Sequence, residues 1–420
     1  MPDLTPDAAH LAAGLEALST FVQSAQPGWT RQVFSEPYLA SREWTFRRMV
    51  EAGLSDVHQD AAGNIVGRLP GQHPELKPLM TGSHTDTVWG GGRFDGMVGV
   101  VGAIEAARLI RESGRPLARD LIVVDFLGEE ANEFGLSCLG SRAITGELTP
   151  GHLDRLGEAA GATLGATMAG FGLDPDQALR LAQPAGSLHA YIELHIEQGP
   201  LLEAAGKEIG VVTAIAGIER LLAAFQGRGD HAGTMPMADR HDALLAAAEA
   251  VLAVEHEACC APVHAVSTTG RIEALPGAFN VVPDSARIWA EVRSIDPAWL
   301  GGVKGRLAQR IAGLAAARGV ETALEWLNDQ PPVATTPAVR ETIAQAAEAV
   351  GASWEAVPSG AGHDAAHLPR LGPIGMIFVP SQGGRSHVPE EFTTTEDTAR
   401  GVQVLTQTLI ALDAQPAIPA

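Results

Sequence analysis

The chain has 420 residues, 45% hydrophobic and 19% charged, a composition that excludes a disordered or collagen-like protein and leaves room for two or three domains. Fifty Asp and Glu against 29 Lys and Arg set the formal charge at −21, which repels a polyphosphate backbone and argues against nucleic acid as a partner. Three cysteines form no C-x-x-C pair, the N-terminus is acidic where a signal peptide needs basic residues, and no uncharged apolar run approaches ~18 residues. The expectation is an acidic, soluble protein of the reducing cytoplasm, with no membrane span.

Thr5 and Pro6 predict the start of an amphipathic helix running to about Gln23, and a second helix is expected from about Glu36 to Gly53. A hairpin turning at Ala62-Gly63 follows. Apolar strands then alternate with long helices: strands at 78–83, 120–128 and 190–199, and a helix at 95–114. This predicts an α/β fold with a mostly parallel sheet, whose functional groups gather at the carboxyl ends of the strands. From about Ala214 the order becomes β-α-β-β-α-β, a self-contained α+β unit that reads as an insertion. After Pro331-Pro332 the α/β pattern resumes with a helix at 336–351, a strand at 374–381 and a closing helix near 394–413.

Histidines and carboxylates concentrate in GSHTDTV (82–88), GGRFDG (91–96), GEEANEF (128–134), ELHIEQGP (193–200) and SHVPEE (386–391). His84 and Asp86, two apart on an extended segment, point to one face, so His84 can ligate a metal while Asp86 accepts its other ring N–H. Surface His-Asp pairs are also common. Asp95 has two oxygens to share between two cations, or caps the helix it precedes. Glu129 and Glu130 end an apolar strand, where two like charges are costly to bury without cations. One would ligate and the other deprotonate the attacking water, unless the loop is simply solvated. His195 shares a strand face with Glu193 and Glu197. Together His84, Asp95, Glu130, His195 and His387 offer a ligand set suited to zinc, manganese, cobalt or nickel. Cys138 is read as a buried filler.

With these segments in order, the sequence resembles the M20 metallopeptidase-like family, in its amidase/hydantoinase-carbamoylase branch of N-carbamoyl-L-amino-acid hydrolases, allantoate amidohydrolases and β-ureidopropionases. GDHAGTMPMADRHDA (229–243), PGAFNVVPD (276–284), EVRSID (291–296) and SGAGHDA (359–365) extend the likeness over nearly the whole chain. It implies a discontinuous α/β/α dinuclear-metal domain (1–213 and 330–420) and an inserted lid and dimerisation domain (214–329). Two divalent metals per subunit would be bridged by Asp95, with His84 and His195 completing one site and Glu130 and His387 the other. Glu129 would be the general base, supported by Asp86. Gln198, His231, Asn280 and Arg293 match substrate contacts, and Gly360 and His363 lie in a motif loop at the pocket, with a structural role the alternative for His363.

The implied activity is cleavage of the carbamoyl C–N bond of a linear ureido acid, foremost an N-carbamoyl-L-amino acid, by a metal-bridging hydroxide. Allantoate, ureidoglycolate or β-ureidopropionate hydrolysis, a di- or aminopeptidase and a non-catalytic binding protein are the alternatives. A homodimer is expected. Where many relatives read E-E-G-x-R-F, this chain has Glu133 in place of arginine, which bears on substrate choice.

Overall fold

The computed structural model describes residues 4–157, 161–262 and 264–418. The chain forms two compact units. One takes the residues up to Thr213, 335–357 and those from His363 onward; the other takes Ala214–Ala334 and Pro358–Gly362. Among the described residues no helix is long and apolar enough to cross a membrane.

The first helix runs Ala8–Ser19, shorter at both ends than expected. Asp7, not Thr5, caps it, because its carboxylate accepts from the amides of Ala9 and His10 at 2.9 and 3.2 Å. At the other end the buried Arg31 guanidinium donates to the carbonyls of Leu18 and Phe21 at 2.7 and 2.9 Å, satisfying groups that another turn would have used. The second helix, Glu36–Glu51, starts on Ser35 and Pro37.

The sheet of the first unit contains β1 (Ser55–Gln59), β2 (Ile65–Leu69), β3 (Leu79–His84), β4 (Leu121–Phe126), β5 (Ala190–Ile196) and β6 (Ile209–Ile215). β1 and β2 form the expected hairpin. In the second unit follow β7 (Gly217–Gln226), β8 (Asp230–His231), β9 (Ala265–Leu275), β10 (Val281–Val282), β11 (Ser285–Ser294), β12 (Glu321–Gln330) and β13 (Val333–Ala334). β14 (Trp354–Ser359) and β15 (Ile374–Val379) complete the strands. Strand order in the large sheet is β1-β2-β4-β3-β5-β15-β6. Its centre, β4-β3-β5-β15, is parallel, and its flanks are antiparallel. β3, β5 and β15 are buried along their whole length, which explains why they read as continuous apolar runs rather than alternating ones. The helices Met97–Glu112 and Thr395–Asp413 pack on this sheet through Val100, Ile104, Val402 and Leu405.

Parallel pairing sets His84 opposite Phe126 and His195 opposite Phe378, so both histidines reach the carboxyl ends of neighbouring strands. Beneath them Arg42 is buried against Asp125, with Nη1 3.2 Å from Oδ2. Asp125 also accepts from the Thr85 hydroxyl at 3.1 Å, and Arg42 donates to the Tyr38 hydroxyl at 3.0 Å. Arg42→Met leaves the Asp125 charge buried without its cation, and denaturant titration is expected to find a loss of about 3–5 kcal/mol.

The second unit keeps the β-α-β-β-α-β order. Its sheet is antiparallel in the order β12-β7-β11-β9, and the helices Ala243–Cys259 and Pro297–Ala317 pack on it. Ala243, Ala246, Ala247 and Ala250 face the sheet, and small side chains let that helix lie close to Phe225 and Ile288. Arg293 stands on β11, and β8 pairs with β10 so that His231 lies opposite Val281.

Candidate metal centre and active site

His84 ends β3 and His195 lies near the end of β5, both about 1% exposed. Each ring is oriented by a backbone carbonyl. His84 Nδ1 lies 3.1 Å from the Asp86 carbonyl oxygen and His195 Nδ1 2.9 Å from that of Ile196. Both Nε2 atoms therefore face the same point.

That point is Asp95. Its Oδ1 lies 3.1 Å from His195 Nε2 and 3.5 Å from His84 Nε2, while Oδ2 lies 3.2 Å from His387 Nε2. Glu130 joins the second side, with Oε1 3.5 Å from His387 Nε2. Asp95 is not a helix cap: Gly96 occupies the cap position of Met97–Glu112 with φ of 70°, and no side chain bonds there. A Cβ at position 96 would stand 2.5 Å from the His84 ring, so only glycine lets the helix start this close to the histidine.

The groups His84, Asp95, His195 and Asp95, Glu130, His387 each converge within 4.8 Å, sharing the aspartate. The donor set is imidazole and carboxylate, which fits two divalent cations. A third grouping, Glu193 with His195 and His363, does not fit one. Glu193 already accepts from the Ser83 and Tyr191 hydroxyls and the Ala365 amide, at 2.9, 3.1 and 3.2 Å.

The charges agree with this arrangement. Burial raises Glu130, and although His387 and His84 oppose it, Glu130 reaches about 7 with Asp95 and Asp86 nearby. Burial works against a charge on His387, yet Glu130 and Asp95 lift it to about 9. Glu129 is pushed well above the carboxylate range by burial, against His84 and with Glu130, Asp364 and Asp86. Its Oε2 lies 3.6 Å from His84 Nε2, and it belongs to neither ligand group.

Asp86 does more than face the His84 ring. Its carboxylate takes the amides of Glu129 and Glu130 at 3.2 and 3.1 Å, and His84 Nδ1 is farther from it, at 3.5 Å, than from the backbone oxygen. It fixes the loop that carries both glutamates. Gln198, at φ of 58°, donates from Nε2 to Asp95 Oδ2 at 2.6 Å, and its Oε1 is buried without a hydrogen bond. His363 is buried with its ring centroid 4.6 Å from that of His195.

The other expected substrate contacts lie in the second unit. Arg293 pairs with Glu291 at 2.8 Å and donates to the Gly360 carbonyl at 3.2 Å, and the Ala232 amide beside His231 bonds the Asn280 carbonyl at 3.0 Å.

The sequence profile of Peptidase family M20/M25/M40 matches residues 69–411. The chain belongs to this family. Over 387 residues it is 39% identical to an N-carbamoyl-L-amino-acid amidohydrolase of Paenarthrobacter aurescens, covering 92% of this chain and 94% of that protein. It is 38% identical over 422 residues to a ureidoglycolate hydrolase of Arabidopsis thaliana, covering 97% and 87%. A solved amidase of the hydantoinase/carbamoylase family from Burkholderia multivorans matches with a TM-score of 0.88 and 32% identity, covering 99% of this chain and 100% of that one. The protein is thus an M20 amidohydrolase of the carbamoylase branch, a hydrolase of non-peptide C–N bonds.

Sequence reasoning named Cys138 and Glu133 without their surroundings and did not single out Ser386. Cys138 is buried as expected, but its Sγ lies 3.5 Å from Glu129 Oε1, and burial, with Glu129 and Asp364, raises the thiol well above its usual range, so it stays un-ionised. Ser386 donates to Asp95 Oδ2 at 3.1 Å. Glu133 is exposed, with its carboxylate against Gly157.

Proposed function

We propose that the protein hydrolyses the carbamoyl C–N bond of a linear ureido acid, foremost an N-carbamoyl-L-amino acid, with two divalent cations. The observation that carries this reading is the division of Asp95 between two ligand groups, with the buried Glu129 beside them and outside both. His84, Asp95 and His195 would hold one cation and Asp95, Glu130 and His387 the other. When bound, the cations supply Lewis-acid polarisation of the ureido carbonyl and acidify water. Zinc, manganese, cobalt and nickel all suit these donors.

Glu129 takes the proton of the attacking water and delivers it to the leaving nitrogen; its raised pKa suits a group that must carry a proton between two steps. Asp86 keeps the glutamate loop in place through two amides. Arg293 is the group suited to the substrate carboxylate, since a guanidinium pairs with it through two parallel bonds. Gln198, His231, Asn280, Gly360 and His363 are assigned to the remaining substrate contacts. With an N-carbamoyl amino acid and two waters, the products are the amino acid, ammonia and carbonic acid, the hydrated form of carbon dioxide.

The similarity to a ureidoglycolate hydrolase favours ureidoglycolate as the second reading. Ammonia release from N-carbamoyl-L-amino acids, ureidoglycolate and allantoate, and release of free amino acids from dipeptides, each with added manganese, test both. Turnover is expected on the ureido acids; hydrolysis of dipeptides alone would overturn the proposal. A cytoplasmic homodimer belongs to the same reading, with β9 at one edge of its sheet and Ile272 and Leu275 exposed along it. A monomeric sedimentation coefficient would contradict the dimer.

A further inference from the structure

Glu391, the last residue of SHVPEE, is 2% exposed and plays no part in the chemistry described above. Its carboxylate takes four hydrogen bonds from two loops. Oε1 accepts from the amides of Phe94 and Asp95 at 2.9 and 3.0 Å. Oε2 accepts from the Ser386 hydroxyl at 2.7 Å and the His387 amide at 3.4 Å. One loop carries the shared aspartate and the other carries the histidine of the second ligand group.

Two further features show a built arrangement. A Cβ on Gly92 would stand 2.2 Å from Glu391 Oε1, so a larger residue there would expel the carboxylate. His387 has φ of 58°, uncommon for a residue with a side chain, and an acceptor fixed on its amide helps hold that conformation. Both oxygens are committed to N–H and O–H donors, so Glu391 acts through its neighbours rather than on a reacting atom.

The two ligand groups are supported differently. His84 and His195 belong to strands whose ladders set their positions. Asp95 and His387 belong to loops, and Glu391 joins those loops through their backbone amides, beside the Ser386 hydroxyl and His387 ring that reach the Asp95 carboxylate. We propose that Glu391 is a positioning residue that clips the Asp95 loop to the His387 loop and so sets the affinity of the Asp95, Glu130 and His387 site in preference to the site of His84 and His195. The inference rests on the assignment of these residues as metal ligands.

Metal-stripped full-length protein is titrated with Co²⁺ and followed by calorimetry and the visible spectrum. Wild type is expected to bind two ions. Glu391→Gln keeps an acceptor for the Phe94 and Asp95 amides but turns its carboxamide NH₂ toward the His387 amide. It should weaken the second ion by about 10–100-fold and leave the first near its wild-type affinity. Ser386→Ala removes the hydroxyl that lies against both Glu391 Oε2 and Asp95 Oδ2, and should weaken the same ion. Wild-type affinities at both sites in both variants, or an equal loss at both sites, would overturn the proposal. Binding of fewer than two ions by wild type would instead overturn the ligand assignment itself, and the inference with it.

Discussion

Glu129→Gln is expected to lower kcat by about 10²–10⁴-fold, the span of a lost general acid–base group, while the metal content stays that of wild type. The substitution keeps the shape of the side chain and removes only its ability to take a proton. Neither ligand group contains Glu129, so the metals have no reason to leave. Stability should move the other way from activity. Burial holds the folded-state pKa of Glu129 above its unfolded value, and an acid shifted in that direction costs stability once the pH rises past the unfolded value. Metal-free Glu129→Gln should therefore melt at or above the wild-type temperature at neutral pH. Ammonia-release kinetics, elemental analysis and a thermal melt check the three statements together. Unchanged kcat would remove Glu129 from the mechanism.

Asp95→Asn should be as damaging to turnover for a different reason. The carboxylate presents one oxygen to His84 and His195 and the other to His387, at 3.1 to 3.5 Å. An amide offers one oxygen and turns an N–H₂ toward the other group, and it lacks the charge that balances the cations. Loss of the Lewis acid removes several kcal/mol of transition-state stabilisation, about 10³-fold or more in rate. Metal analysis should find binding weakened at both positions, whereas His387→Ala should weaken one. If Asp95→Asn lost a single ion, the aspartate would not be shared.

The sequence made the strand-end chemistry legible because fully buried parallel strands announce themselves as apolar runs, and the residues that follow them are the ones a crevice collects. β3, β4, β5 and β15 were readable in this way, as was the β-α-β-β-α-β order of the second unit. β6 was not, since only Ala216 separates it from β7 and one long β-prone run hides the break. The helix cap at Asp7 and the stop at Ser19 escaped because the latter depends on Arg31, a side chain outside the helix. The same limit applies at the site. Two-residue spacing set Asp86 beside the His84 ring, but gave no sign of the amides 43 and 44 residues away that it also holds. Local patterns indicate which residues carry chemistry and say little about which groups hold them still.

The loop-to-loop attachment of Glu391 also has a consequence for biosynthesis. Phe94 and Asp95 are 297 and 296 residues from the carboxylate that fixes them, with the whole second unit translated in between. A nascent chain that has reached β5 already possesses His84, Asp95 and His195, yet His387 is 192 residues later, roughly 10–40 s at ordinary elongation rates. The two ligand groups are thus completed at different moments of synthesis. Capture of a first ion by the emerging chain would organise the half-built sheet, and the second could be held only after the last strand is in place, which makes its arrival a signature of finished folding.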